Sequence, residues 1–308
     1  MFFQILLNVC APIFLIVGAG WLMDRKFRIH LESLVKLNIY LLVPAFIFTR
    51  VVSAELGGSE ALRIASFTLA TIALMFIGSL IAGRIFRMRR QERQALSLAA
   101  MFYNCGNYGL PLVILAFGNA AGAVQIFVLA TMNVSTYTIG LFLAQGHGEG
   151  TGSHRQALMK VLRQPTLYAL FAGLACRSLH LPVQAVNWIW QPLDIIQSCL
   201  IGIALLTLGV QMSQTKPARF QAPLWSAILL RLIISPALAV LLTMAFGFSR
   251  DVSVALILAT AAPTAVNTAL LSHEFGGDVP FSTSAVYYTT LLSLITTPTI
   301  IYALKLWL

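Results

Sequence analysis

Phe102-Tyr103-Asn104-Cys105-Gly106-Asn107-Tyr108-Gly109-Leu110-Pro111-Leu112 lies in the middle of an apolar stretch long enough to cross a bilayer. Two glycines and a proline weaken helix continuity there, and Asn104 and Asn107 can cap or bond the exposed backbone. A second stretch, Ala261-Ala262-Pro263-Thr264-Ala265-Val266-Asn267-Thr268, follows the same logic. Pro263 cannot donate to the carbonyl four residues earlier, and Asn267 supplies a replacement amide. Backbone at membrane depth unwinds only where protein or a water-filled cavity satisfies its freed groups, so two matched breaks point to a transport site. A new helix starting near Gly109 or Pro111 would aim its free N–H groups and positive dipole end at the midplane.

Composition places these breaks in a membrane. Of the 308 residues, 58% are hydrophobic and only 10% charged, with a mean hydropathy of +0.85, whereas a soluble domain is about 25% charged. At roughly 20 residues per span, the apolar segments predict ten spans over 4–23, 31–53, 62–83, 95–117, 122–144, 164–180, 188–212, 222–246, 252–274 and 280–304. No room remains for a soluble domain.

The net charge of +10 does not signal nucleic acid, because the basic residues sit between spans and not in one patch. Arg25, Lys26, Arg28, Lys36, Arg84, Arg87, Arg89, Arg90, Arg93, Arg155, Lys160, Arg163, Lys216 and Arg219 all fall in odd-numbered loops, fourteen of the 20 basic residues. Those loops are expected in the cytoplasm and both termini outside. The first apolar stretch lacks a basic n-region and reads as a retained helix. Cys10, Cys105, Cys176 and Cys199 lie in apolar segments without a CxxC pair, which reads as packing.

The chain repeats itself. Ala95-Leu96-Ser97-Leu98-Ala99 matches Ala255-Leu256-Ile257-Leu258-Ala259, and Phe117-Gly118 matches Phe275-Gly276. Spans four and nine are thus counterparts, and an odd number of spans per half inverts the second half relative to the first. The sequence reading is an all-α integral membrane protein with a first five-helix repeat over 1–145, a cytoplasmic connector over 146–163 and a second, inverted repeat over 164–308. Gly146 to Ser153 is glycine-rich but lacks the strand and Gly-Lys-Ser/Thr ending of a phosphate cradle, and reads as a connector.

These motifs in this order resemble the auxin efflux carrier family and its bacterial malonate-permease-like branch. The resemblance rests on Asn104-x-x-x-x-Gly109-Leu110-Pro111-Leu112 with Phe117-Gly118, on Ala262-Pro263 with Phe275-Gly276, and on Asn38-x-x-x-x-x-Pro44-Ala45. It implies ten helices in two inverted five-helix repeats, broken crossover helices four and nine, a scaffold of helices one, two, six and seven, and elevator-type alternating access in the inner (plasma) membrane. The family's first crossover often reads Pro-Asn with the asparagine facing a substrate carboxylate. Here Tyr103 precedes Asn104, while Pro263 stands as the second crossover proline.

Asn104, Asn107, Gly109, Pro111, Pro263, Thr264 and Asn267 are therefore the candidate substrate-binding residues. Asn133 and Tyr137 join them, since an i,i+4 pair shares a helix face and span five lies in the same half. Other hydroxyl residues in spans five and ten read as helix glue. Arg231 lies inside span eight, away from either break, with Asp194 as a candidate partner. No nucleophile–base–orienter set, metal site or cofactor motif is present, so an enzyme is not expected; His273-Glu274 is not an HExxH motif.

The expected function is secondary transport of a small organic anion, a mono- or dicarboxylate, with malonate and malate named by the resemblance alone. The partners are that anion and the lipid bilayer, and the sequence is compatible with a homodimer. Two alternatives are a sodium-coupled bile-acid-type or antiporter-like carrier, which would need coordinating carboxylates at the breaks, and a non-transporting membrane receptor or lipid-processing enzyme, which would have continuous kinked helices around a dry core.

Overall fold

The computed structural model describes residues 2–53, 58–145, 159, 162–218 and 220–307. Of the connector expected over 146–163, the residues 146–158, 160 and 161, with the whole glycine-rich part, lie outside them. Eleven helices follow in order: α1 Phe2–Phe27, α2 Leu31–Ser53, α3 Gly58–Ile85, α4 Arg90–Met101, α5 Cys105–Ala144, α6 Pro165–Ser178, α7 Asn187–Gln214, α8 Ala222–Ala245, α9 Arg250–Thr260, α10 Val266–Glu274 and α11 Val279–Trp307. Seven of them (α1, α2, α3, α5, α7, α8 and α11) are long and apolar enough to cross a membrane.

Helix α5 hides a turn. Gly118 adopts φ 83°, ψ −173°, a conformation open to glycine and strained for any residue with a Cβ. The Phe117-Gly118 motif thus marks the place where one helix ends and the next begins. Its counterpart Gly276 has φ 67° and follows the end of α10.

Prolines accompany four of the five one-turn π-helical segments among the described residues. Leu6–Cys10, Asn38–Leu42, Cys105–Gly109 and Leu230–Ile234 each end two residues before a proline, Pro12, Pro44, Pro111 and Pro236, whereas Thr136–Gly140 has none there. A proline ring clashes with the carbonyl four residues earlier and offers it no N–H. The wider i→i+5 turn moves that carbonyl aside, so the helix continues where it would otherwise stop. The expectation of a helix start at Gly109 or Pro111 is corrected accordingly. Gly109 N donates to Asn104 O at 2.8 Å, the helix begins at Cys105, and Pro111 lies within it.

Helices α1, α2, α6 and α7 pack mainly on one another, with α1 against α7 the most extensive pairing. Two glycines set that distance: a Cβ on Gly20 would lie 2.4 Å from Leu206 O, and one on Gly209 would lie 2.0 Å from Val17 O. Small residues let backbones approach where lipid supplies no hydrophobic drive between helices. The remaining helices surround α4 and α9. Residues Ala95 to Met101 and Val252 to Thr260 are all buried, which accounts for two short helices that alternate alanine with leucine and carry no charge through those stretches.

Candidate functional site

Both breaks anticipated from the sequence are present, and they bond to each other. Beyond α4 the chain is extended at Phe102 (φ −109°, ψ 119°), and beyond α9 it is extended at Ala265 (φ −70°, ψ 139°). Tyr103 and Thr264 form an isolated antiparallel bridge: Asn104 N donates to Pro263 O at 2.8 Å and Ala265 N to Phe102 O at 2.9 Å. Main-chain groups released by one break are thereby satisfied by the other. Thr264 reinforces the joint. Its hydroxyl donates to Ala99 O at 3.1 Å and its N–H to Thr289 Oγ1 at 3.1 Å.

The carbonyl ends of α4 and α9 converge on Arg231. This side chain is 0% exposed and donates to Ala100 O at 2.7 Å and Thr260 O at 2.6 Å. It also donates to Ser235 Oγ, which in turn bonds Thr260 O at 3.2 Å. One cation thus complements the negative ends of two helix dipoles, and its guanidinium carbon lies 4.8 Å from the Tyr103 ring centroid. Arg231 is therefore at the breaks and not away from them. Asp194 is not its partner, since its carboxylate accepts from Gln197 Nε2 at 2.7 Å.

The amino-terminal sides of the breaks converge as well. The first turns of α5 and α10 carry N–H groups with no acceptor inside their own helices. Cys105, Gly106 and Asn107 from α5, with Val266 and Asn267 from α10 and Ala265 just ahead of it, line one cavity of about 130 Å³. Two positive dipole ends meet there. Asn104, 8% exposed, adds an Nδ2 without a partner. Asn133 and Tyr137 reach the same wall from the second half of α5. None of the described lining residues carries a charge.

Five candidate residues thus share the cavity: Asn104, Asn107, Asn133, Tyr137 and Asn267. Gly109, Pro111, Pro263 and Thr264 do not line it. A Cβ on Gly109 would come within 3.1 Å of Gln125 Nε2 and 3.2 Å of Asn104 O, so glycine there lets the turn close under the cavity. Pro263 and Thr264 act through the bridge. The sequence reading missed Tyr103, Thr136, Gln164 and Gln211 as lining residues, and met Asn38 only as a motif letter. The available signal was spacing: Asn38 opens the π-helical turn ahead of Pro44 as Cys105 opens the one ahead of Pro111.

A larger cavity, about 690 Å³, lies beyond Gly118 and is lined by Arg50, Glu60, Phe117, Asn119 and Asp251 among others. It mixes both signs of charge and touches neither break. Among the described residues no group of three or more His, Cys, Asp or Glu could hold a metal ion.

The chain has relatives among known sequences. The chain is 24% identical over 278 residues to an uncharacterized transporter of Methanocaldococcus jannaschii, covering 86% of this chain and 87% of that one. It is 24% identical over 312 residues to a Rhizobium meliloti protein named "Putative malonate transporter", covering 96% and 94%. It is also 21% identical over 307 residues to the uncharacterized transporter YfdV of Escherichia coli, covering 96% of each. A sequence profile described as membrane transport protein matches residues 5–301. The chain belongs to this family of membrane transport proteins, the auxin efflux carrier family.

Proposed function

We propose that this transporter is a secondary carrier of a small organic anion, with malonate as the first candidate because a relative bears that name. The observation that carries the reading is the convergence of two helix N-termini and the unpartnered Asn104 Nδ2 on one uncharged cavity. Fixed N–H dipoles stabilise a carboxylate in a low-dielectric site without a counter-charge that would hold it too tightly for release.

The same reading takes the chain as ten passes in two inverted repeats working by elevator-type alternating access. What supports it is the following. Helix α5, 40 residues long, would extend about 60 Å if straight, twice the hydrocarbon thickness, and Gly118 folds it into two. Helix α4 with the start of α5, and α9 with α10, each supply one further interrupted pass. Gly118 and Gly276 share positive φ at matching points, and α1, α2, α6 and α7 form a separate packing group suited to a scaffold. The small cavity adjoins the starts of α2 and α6, next to loops rich in basic residues, so it faces the cytoplasm if the charge count sets orientation.

The test is Asn104. A hydrogen bond to a charged group contributes about 1.5–3 kcal/mol, so Asn104→Ala should weaken carboxylate binding roughly ten- to a hundredfold while the protein still folds. Asn104→Asp should weaken it further by repulsion. Binding and proteoliposome uptake measured on the same purified variants decide the matter, and wild-type affinity in both would sink the site.

A further inference from the structure

The opposite wall of the cavity makes a demand of its own. Asn38 is 2% exposed and lines the cavity from α2. Its Nδ2 donates to Thr207 Oγ1 at 3.0 Å, and the Thr207 hydroxyl uses its single hydrogen on Ile203 O at 2.6 Å. In this arrangement Asn38 Nδ2 is spent on Thr207, which leaves Oδ1 as the amide atom available to the cavity. The remaining atom, Asn38 Oδ1, is buried without a partner. Gln211, one turn beyond Thr207 on the same face of α7, leaves its Oε1 unpaired in the same wall.

The cavity therefore offers donors on one side and an oriented acceptor on the other. We infer that the transported species carries, besides its carboxylate, a neutral O–H group that Asn38 Oδ1 accepts. This rests on the anion site proposed above and narrows it. The shared chemistry is a monoanion with an O–H donor, met by a hydroxy-monocarboxylate or by a dicarboxylate in its half-protonated form. A dianion fits poorly. Its second carboxylate would face Asn38 Oδ1 acceptor to acceptor, and among the described lining residues no cation offsets it.

Paired ligands test this on the purified, intact transporter. Wild type should bind 3-hydroxypropionate at least about tenfold more tightly than propionate, the loss expected when a buried acceptor is left unmet. Asn38→Leu should erase that ratio. The described lining holds no Asp, Glu, His, Lys or Arg, so the pH dependence read near neutrality is assigned to the ligand. Malonate affinity should fall about tenfold per pH unit above its second pKa, whereas 3-hydroxypropionate affinity stays flat, which separates the two sources. If Asn38→Leu does not accumulate, the wild-type ratio and the malonate profile still decide. Equal wild-type affinity for the two monocarboxylates, a ratio that survives in Asn38→Leu, or malonate binding that is indifferent to pH would overturn the assignment. Failure of every carboxylate to bind wild type would instead sink the anion site itself.

Discussion

Arg231→Lys separates a brace from a binding residue. The guanidinium uses different nitrogens for Ala100 O and Thr260 O, which a single ammonium on a straight stem cannot reproduce. The substitution should therefore lose at least one hydrogen bond to a charged group, about 1.5–3 kcal/mol, and part of the stacking on Tyr103, about 1 kcal/mol. The retained charge still complements both carbonyl ends, and Ser235 still bonds Thr260 O, so the net loss should be about 2–4 kcal/mol. At roughly 2 °C per kcal/mol for a chain of this size, the melting midpoint in detergent should fall by about 4–8 °C. Arg231 does not line the cavity, so affinity per folded molecule should stay within about threefold of wild type. A variant that melts with wild type, or one that keeps its midpoint while losing affinity tenfold or more, refutes the brace.

Two further outcomes follow from the geometry. Gly209→Ala places a methyl 2.0 Å from Val17 O and should destabilise the α1–α7 pair by about 1–3 kcal/mol, whereas Gly202→Ala, with nothing within 4 Å, should be neutral in the same melting assay. In a cysteine-free background, Asn119→Cys should react with an impermeant thiol reagent in intact cells while Arg90→Cys stays protected until permeabilisation, and the reverse pattern would invert the orientation.

Helix positions were largely legible because a twenty-residue apolar run between basic loops has few other readings. The second predicted span, 31–53, coincides with Leu31–Ser53, and both breaks fell within a few residues of their positions. The helix after the first break starts at Cys105 and not at Gly109 or Pro111, because a π-helical turn accommodates the proline. The role of Arg231 was not legible. Its acceptors are backbone carbonyls 131 and 29 residues away, and backbone carbonyls carry no sequence signature. Asn38 was hidden for a related reason: its orientation depends on Thr207, 169 residues further on. Side chains that face a cavity could be guessed by residue type, whereas Thr264 and Pro263, also polar or helix-breaking, turned inward to hold the joint.

The uncharged cavity also has an electrical consequence. A carrier returns to its starting conformation after each cycle, so fixed charges such as Arg231 cancel and only what is left behind counts. Unless an ion travels with it, a transported monoanion on the proposed reading moves one negative charge per turnover. A membrane potential of 100 mV then biases the process by about 2.3 kcal/mol, roughly fiftyfold in the accumulation ratio. In a cell that is negative inside, that bias drives the anion outward, and net uptake requires an inward concentration gradient steeper than the voltage opposing it.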